Sequence, residues 1–187
     1  MIEKVRNYVI ETCEKLNRIE DYQYHISVVE EICINLAKRF NVNEEILRIS
    51  ALLHDIGRIK FGPKNHEETG AIEAEKILKE FNLENEKIEK IKECIREHRH
   101  EKPSIPISLE AKILKIADAY AHFKKAIYLP YFRIKFDNSN IEEAIEWTKE
   151  KLERDLNFLK EMSKEIDIKD IVEECQEIYE FFCKLIL

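Results

Sequence analysis

The sequence predicts an all-α protein, and three observations lead to that fold class. Apolar residues recur with a period near 3.6 along almost the whole chain, and no segment has the clean alternation of a strand. Only 3 glycines and 4 prolines occur among 187 residues, so helix breakers are scarce. A hydrophobic fraction of 44% beside a charged fraction of 37% suits helices with one buried and one solvated face, packed as a single helical domain over residues 1–187.

Three helices are predicted in the first third of the chain. The first covers Ile2 to Ile19, and the second covers Tyr22 to Phe40 with a continuous apolar stripe. Asn43 precedes two glutamates, which is typical of a helix N-cap with an acidic first turn. The third helix therefore begins at Asn43, and Gly57 is its expected C-terminal stop.

The rest of the chain divides at loops rich in glycine, proline or asparagine. A helix that begins at His66 has the small residues Gly70 and Ala74 on its inner side, which would let another backbone or a ligand come close. The predicted order is a loop Arg58–Asn65, helices His66–Phe81 and Asn85–Arg99, a loop Glu101–Ser108, a helix Leu109–Ile127, breaks at Pro130 and at Asp137–Asn140, and helices Ile141–Met162 and Ile168–Leu187.

Charge and cysteine usage exclude several functional classes. The net charge of −7 argues against a general nucleic-acid binder or a membrane-surface binder. No apolar run approaches the length of a transmembrane helix, and the first residues lack the apolar core of a signal peptide. The 5 cysteines are odd in number and form no C-x-x-C pair, so we expect free thiols and a cytoplasmic location.

Four histidines and two aspartates point inward from five different predicted helices. A lone histidine on an apolar face is usually a hydrogen-bonded core residue, and a buried aspartate is usually paired with a basic residue. Several buried polar groups in one small core need partners for their lone pairs and charges. A divalent ion such as Mn, Fe, Co, Ni or Zn could bind them together. The six residues are His25, His54, Asp55, His66, His98 and Asp118.

The same residues carry a resemblance to a known family. The order His25, His54-Asp55, Asp118 resembles the HD superfamily of metal-dependent phosphohydrolases, and the runs HDIGR, NHEETGAIEAEKIL and ILKIADAY resemble its HDIG-type subgroup. The resemblance spans about His25 to Ala121. It implies an HD-domain helical bundle with additional C-terminal helices, namely a metal-binding core over residues 20–127 and a helical extension over residues 140–187.

The resemblance also implies roles for individual residues. His25, His54, Asp55 and Asp118 match the four ligands of one metal ion. In binuclear members the aspartate of the HD pair bridges two ions, and His66 and His98 match the remaining ligands of the second. We therefore expect one or two divalent ions (Mn, Fe, Ni, Co, Zn or Mg), with Asp55 and Asp118 as catalytic residues.

The segment after the HD pair is basic. Arg58, Lys60 and Lys64 are candidates to bind a substrate phosphate, although a solvated basic turn explains them equally well. Many HDIG-type relatives have lysine where this chain has Arg58. Arginine stays protonated and cannot replace a lysine that donates a proton, which leaves the acid for the leaving group open.

The expected function is a phosphohydrolase acting on a small phosphoester. Six retained ligand positions favour a binuclear enzyme resembling phosphodiesterases, whereas four would favour a mononuclear one resembling nucleotidases. The alternative is a non-catalytic HD domain that binds a nucleotide or a partner protein in signalling. The expected partner is a small phosphorylated substrate, with a nucleotide as one candidate. The C-terminal helices could cover the site or form a homodimer face.

Overall fold

The computed structural model describes residues 1–99 and 108–185, and every regular element within them is helical. These residues fall into two compact units, Met1–Asp118 and Ala119–Leu187. The helices that lie in the first unit or begin there are α1 (Ile2–Lys15), α2 (Ile19–Asp21), a π-helical turn (Tyr22–Ile26), α3 (Ser27–Phe40), α4 (Glu44–Leu53), α5 (Ile56–Phe61), α6 (His66–Glu80), α7 (Asn85–Glu97) and α8 (Leu109–Lys124).

The first two helices differ from the prediction. Helix α1 ends at Lys15 rather than Ile19, because Asn17 adopts a positive φ of 55°, which an asparagine tolerates better than most residues. The next helical segment starts at Ile19 and reaches Phe40, but five of its residues, Tyr22–Ile26, form a π-helical turn. Such a turn hardly disturbs the apolar pattern on either side, so the sequence did not indicate it.

The segment around the HD pair departs most from the prediction. The Asn43 cap is confirmed, since its side chain accepts a hydrogen bond from the Ile46 backbone nitrogen at 3.1 Å. The predicted stop at Gly57 is wrong: α4 ends at Leu53, and Gly57 lies inside α5. The chain leaves α5 at Gly62, whose φ of 91° favours glycine.

Gly57 does not end a helix but allows α5 and α6 to cross closely. A Cβ atom at this position would overlap the backbone carbonyl oxygen of His66 and lie 2.5 Å from the backbone nitrogen of Gly70. The expectation that Gly70 lets another backbone approach is confirmed, because it faces the backbone of α5. The two glycines therefore allow α5 to pack directly on α6.

The core of the first unit lies between these helices. Helix α4 packs against α1, α3 and α7, and α6 packs against α5 and α7. Predominantly branched aliphatic side chains fill the interior, as expected for amphipathic helices that each bury one face. The largest side chains with almost no exposure are Ile26, Leu47, Ile49, Leu52, Leu53, Ile56, Leu78, Ile88, Ile91, Ile95, Ile113 and Leu114.

The second unit contains the end of α8 followed by α9 (Tyr128–Asp137), α10 (Ile141–Met162) and α11 (Lys169–Leu185). The predicted break at Pro130 is wrong, because Pro130 lies in the first turn of α9, where backbone N–H groups have no intrahelical partner. The predicted helix at Ile141 is confirmed, and Asn140 and Glu143 form a capping box at its start.

One predicted loop and the end of the last predicted helix fall largely outside the residues that the structure describes. All but the last residue of the predicted loop Glu101–Ser108 lies outside the described residues, as does the end of the last predicted helix at Leu187. The division into a core over 20–127 and an extension over 140–187 stays a prediction. Among the described residues, no helix is long and apolar enough to span a membrane.

Candidate metal centre

Four of the six predicted ligands converge from three places in the chain. His25 projects from the π-helical turn, His54 and Asp55 form the turn between α4 and α5, and Asp118 lies on α8. Asp55 has φ −99° and ψ 6°, a sparsely populated conformation that is common in active-site residues. This conformation ends α4 and starts α5, so the HD pair lies at a helix junction rather than within one helix.

These four residues form a first ligand group. His25 Nε2 lies 3.0 Å from Asp118 Oδ1 and 3.1 Å from His54 Nε2. His54 Nε2 lies 3.6 Å from the same Asp118 oxygen. Both Nε2 atoms lie 3.9 Å from Asp55 Oδ2. His25, His54 and Asp55 offer ligand atoms that all lie within 4.8 Å of one another, close enough to hold a single ion.

The remaining two histidines form a second group around the same aspartate. His66 is the first residue of α6, and His98 follows the last residue of α7. Their Nε2 atoms are 3.1 Å apart, and His66 Nε2 lies 3.5 Å from Asp55 Oδ1. Asp55 thus presents Oδ2 to the first group and Oδ1 to the second. The structure brings all six predicted ligands together.

Hydrogen bonds to backbone carbonyls set the tautomer of three of these histidines. A carbonyl oxygen only accepts, so each Nδ1 carries the proton and each neutral ring keeps a lone pair on Nε2. At 3.1 Å, the lone pairs of His66 and His98 therefore face each other without a proton between them. A cation between them would remove this repulsion, so the donor set fits a divalent metal. The three bonds join His54 to Ala51 O at 2.7 Å, His66 to Pro63 O at 3.1 Å and His98 to Ile95 O at 2.6 Å.

Burial and charge act differently on the members of the centre. Burial lowers the pKa of His54, and burial together with the charge of His54 lowers that of His98 to about 4. His25 is also desolvated, but its hydrogen bond to Asp118 raises its pKa overall. Burial would raise the pKa of Asp55, yet Arg58 and the neighbouring imidazoles hold it below its ordinary value. The pKa shifts therefore favour neutral imidazoles at His54 and His98 and an ionised carboxylate at Asp55.

The three basic residues after the HD pair have different surroundings. Arg58 donates from Nη1 to Asp55 Oδ2 at 3.0 Å, and its side chain remains 34% exposed. Lys60 instead forms an ion pair with Glu73 and a hydrogen bond with the Tyr8 hydroxyl. Lys64 is exposed. Arg58 is thus in contact with the candidate metal centre, whereas Lys60 links α5 to α6 and α1.

Sequence reasoning missed one charged residue beside the centre. Asp21, only 2% exposed, lies 3.6 Å from Arg58 Nη2 and forms a two-pronged ion pair with Arg18. The available signal was the i, i+3 spacing of Arg18 and Asp21 just before His25. Glu67, in the first turn of α6, is also buried there and approaches both His66 and Arg99.

A family model for the HD domain matches residues 22–122, more than half of the chain. This range contains every residue of both ligand groups. A curated tRNA (cytidine(56)-2'-O)-methyltransferase from Picrophilus torridus is 26% identical over 130 residues, which cover 64% of this chain. That stretch is 37% of the methyltransferase, so the chain spans little more than a third of this relative.

Two solved structures have a similar fold. A crystal structure of a predicted HD superfamily hydrolase from an uncultured Thermotogales bacterium gives a TM-score of 0.57 at 24% identity, covering 87% of this chain and 91% of that one. Bacillus subtilis YpgQ in complex with ADP gives a TM-score of 0.53 at 20% identity, covering 90% of this chain and 96% of that one. At identities of 24% and 20%, these similarities show a shared fold and nothing more.

Proposed function

Because the chain belongs to the HD domain family, we propose that it is a metal-dependent phosphohydrolase that cleaves a small phosphoester. The observation that carries this proposal is the position of Asp55, whose two carboxylate oxygens face two different histidine groups. A carboxylate in this position suits two neighbouring cations. The proposed substrate is therefore a phosphodiester or a nucleotide phosphate, cleaved at a binuclear centre.

The six ligands divide between the two proposed ion sites. His25, His54, Asp118 and Asp55 Oδ2 would hold one ion, and His66, His98 and Asp55 Oδ1 would hold the other. The carbonyl bonds of three rings keep their Nε2 lone pairs directed inward before any ion arrives, which lowers the ordering cost of binding. Divalent ions held by these residues would supply Lewis acidity and would lower the pKa of a bound water toward neutrality.

The chain's own side chains support the phosphoryl group and the nucleophile. Asp55 and Asp118 are buried carboxylates that can accept a hydrogen bond from the attacking water and fix its direction. Arg58 is partly exposed beside Asp55, where its planar fork can bind a phosphoryl oxygen. Since arginine remains protonated, we assign protonation of the leaving group to solvent water rather than to Arg58.

A nucleotide phosphate receives some support from the fold neighbour that was solved with ADP. The formal charge of −7 makes a large polyanion an unfavourable ligand and favours a small phosphorylated molecule. Because the chain spans only part of the tRNA methyltransferase, we do not extend methyl transfer to it.

The test uses the full chain purified without chelator. Its metal content is measured by elemental mass spectrometry, and phosphate or alcohol release is followed on an aryl phosphodiester, an aryl phosphomonoester and the common nucleotides. The key variant is Asp55→Asn, which keeps the side-chain shape but removes the shared charge. The matched control is Glu30→Gln, another buried carboxylate, paired with Arg6 and Arg48 instead of the centre.

We expect about two ions per chain, hydrolysis by the wild type and by Glu30→Gln, and loss of both metal and turnover in Asp55→Asn. A chain that binds metal and nucleotide but releases no product would be a binding domain, and the hydrolase proposal would be wrong. A chain that takes up no Mn or Fe when these are supplied would overturn the metal assignment as well.

A further inference from the structure

Four charged side chains of alternating sign lead from the start of α2 to the metal centre. Arg18 donates from Nε to Asp21 Oδ2 at 2.9 Å and from Nη2 to Oδ1 at 3.0 Å. Asp21 Oδ1 lies 3.6 Å from Arg58 Nη2, and Arg58 Nη1 donates to Asp55 Oδ2 at 3.0 Å. The guanidinium of Arg58 thus lies between two carboxylates, one inside the centre and one behind it.

The two carboxylates differ in how firmly they are fixed and in what else they serve. Asp21 is held by both prongs of Arg18, and its side chain is 3% exposed. Asp55 is shared between two groups of candidate metal ligands. Cations bound by Asp55 would share its charge and repel a neighbouring guanidinium, since opposite and like charges at 3–6 Å act strongly in a buried site. Asp21 is then an anion behind the centre that still attracts Arg58.

Resting on the proposed function, we propose that Asp21 is a positioning residue that holds the Arg58 guanidinium at the edge of the metal centre, ready to bind a substrate phosphate. Arg18 fixes Asp21 by its fork-shaped contact. This assignment explains why Asp21 is buried beside the centre in contact with both Arg18 and Arg58. It also places the phosphate on the side of the first ligand group, where Arg58 contacts Asp55 Oδ2.

The test measures binding of inorganic phosphate to the Mn²⁺-loaded full chain by isothermal titration calorimetry, so it does not depend on turnover. Asp21→Asn, Arg58→Ala and the double variant form a mutant cycle. Arg18→Gln is a second probe, because it keeps the charge of Asp21 but removes its fixing contacts. Glu30→Gln is the control for loss of a buried carboxylate–arginine pair, and circular dichroism checks that each variant is folded.

We expect Asp21→Asn to weaken phosphate binding about tenfold when Arg58 is present and less than about twofold when Arg58 is replaced, a coupling of the size seen for residues in one charge network. Arg18→Gln should also weaken phosphate binding more when Arg58 is present than when it is replaced, with a smaller effect. If Asp21→Asn does not fold, the cycle is measured with Arg18→Gln. Glu30→Gln should leave phosphate binding unchanged.

Independent, multiplying effects of Asp21→Asn and Arg58→Ala would overturn the positioning role, as would equal weakening by Glu30→Gln or a wild type that does not bind phosphate. Coupled phosphate binding without hydrolysis of any phosphoester would support the role of Asp21 while overturning the proposed function. Hydrolysis of a phosphoester without coupling between Asp21→Asn and Arg58→Ala would support the proposed function while overturning the role of Asp21.

Discussion

Replacing Gly57 by alanine tests whether the crossing of α5 and α6 sets the spacing of the metal centre. The added Cβ would lie 2.5 Å from the Gly70 backbone nitrogen and would overlap the His66 carbonyl oxygen. Ordinary contacts begin near 3.4 Å, so the two helices must separate by about 1 Å. Both neighbours are backbone atoms, which cannot rotate away as a side chain would.

The displacement falls on the second ligand group. Asp55 immediately precedes α5, and His66 is the first residue of α6. Moving the two helices apart therefore lengthens the 3.5 Å distance between His66 Nε2 and Asp55 Oδ1. Metal–ligand distances tolerate deviations of only about 0.2 Å, far less than the expected shift. We therefore expect Gly57→Ala to lose the ion held by His66 and His98 and to be destabilised by about 1–3 kcal/mol from overpacking.

The assay combines metal content per chain with urea unfolding of the metal-free protein. Gly62→Ala is the matched control, because a Cβ there meets nothing within 4 Å and the only cost is the positive φ of 91°. Because a φ of 91° with a ψ of 178° suits glycine, this control should lose about 1–3 kcal/mol while retaining both ions. A Gly57→Ala protein with wild-type stability and an unchanged metal content would refute the reasoning.

Three further outcomes are expected. Asp55→Asn should reduce metal content below one ion per chain, whereas His66→Ala should leave one, as measured by elemental mass spectrometry; equal losses would contradict a shared carboxylate. Asn140→Ala should cost about 1 kcal/mol in urea unfolding by removing the cap of α10, without changing metal content. Alkylation at pH 8, followed by mass spectrometry, should modify Cys183 first, because the other thiols are buried and burial raises the pKa of Cys94 to about 12; rapid labelling of several sites would contradict this packing. The buried thiols are Cys13, Cys33, Cys94 and Cys175.

The sequence was informative wherever a periodic pattern carried the information. The inward-facing positions of the six candidate ligands and the capping signal at Asn43 depend on local spacing, and the structure agrees with them. The shared position of Asp55 was implied by the family resemblance and matches the distances to both groups. These features are visible because one helix face repeats regularly along the chain.

Features set by tertiary contacts were not predictable in the same way. Gly57 has the residue type of a helix stop, and only the position of the α6 backbone reveals that it allows a close crossing. The ion pair of Asp21 with Arg58 joins two segments far apart in sequence. Pro130 has the residue type of a break, but it is compatible with a first turn, where no backbone N–H is needed.

Two departures from regular helix lie at candidate ligands. An uninterrupted helix would direct His54 and Asp55 about 100° apart, which would prevent both from facing one centre. Ending α4 at Leu53 and starting α5 at Ile56 frees Asp55 to lie between the two histidine groups. The π-helical turn likewise carries His25. Irregular backbone and facing imidazole lone pairs both cost folding free energy, and cations bound at the centre would offset that cost. We therefore expect the free energy of unfolding in urea to rise with the logarithm of the Mn²⁺ concentration once it exceeds the dissociation constant of each site.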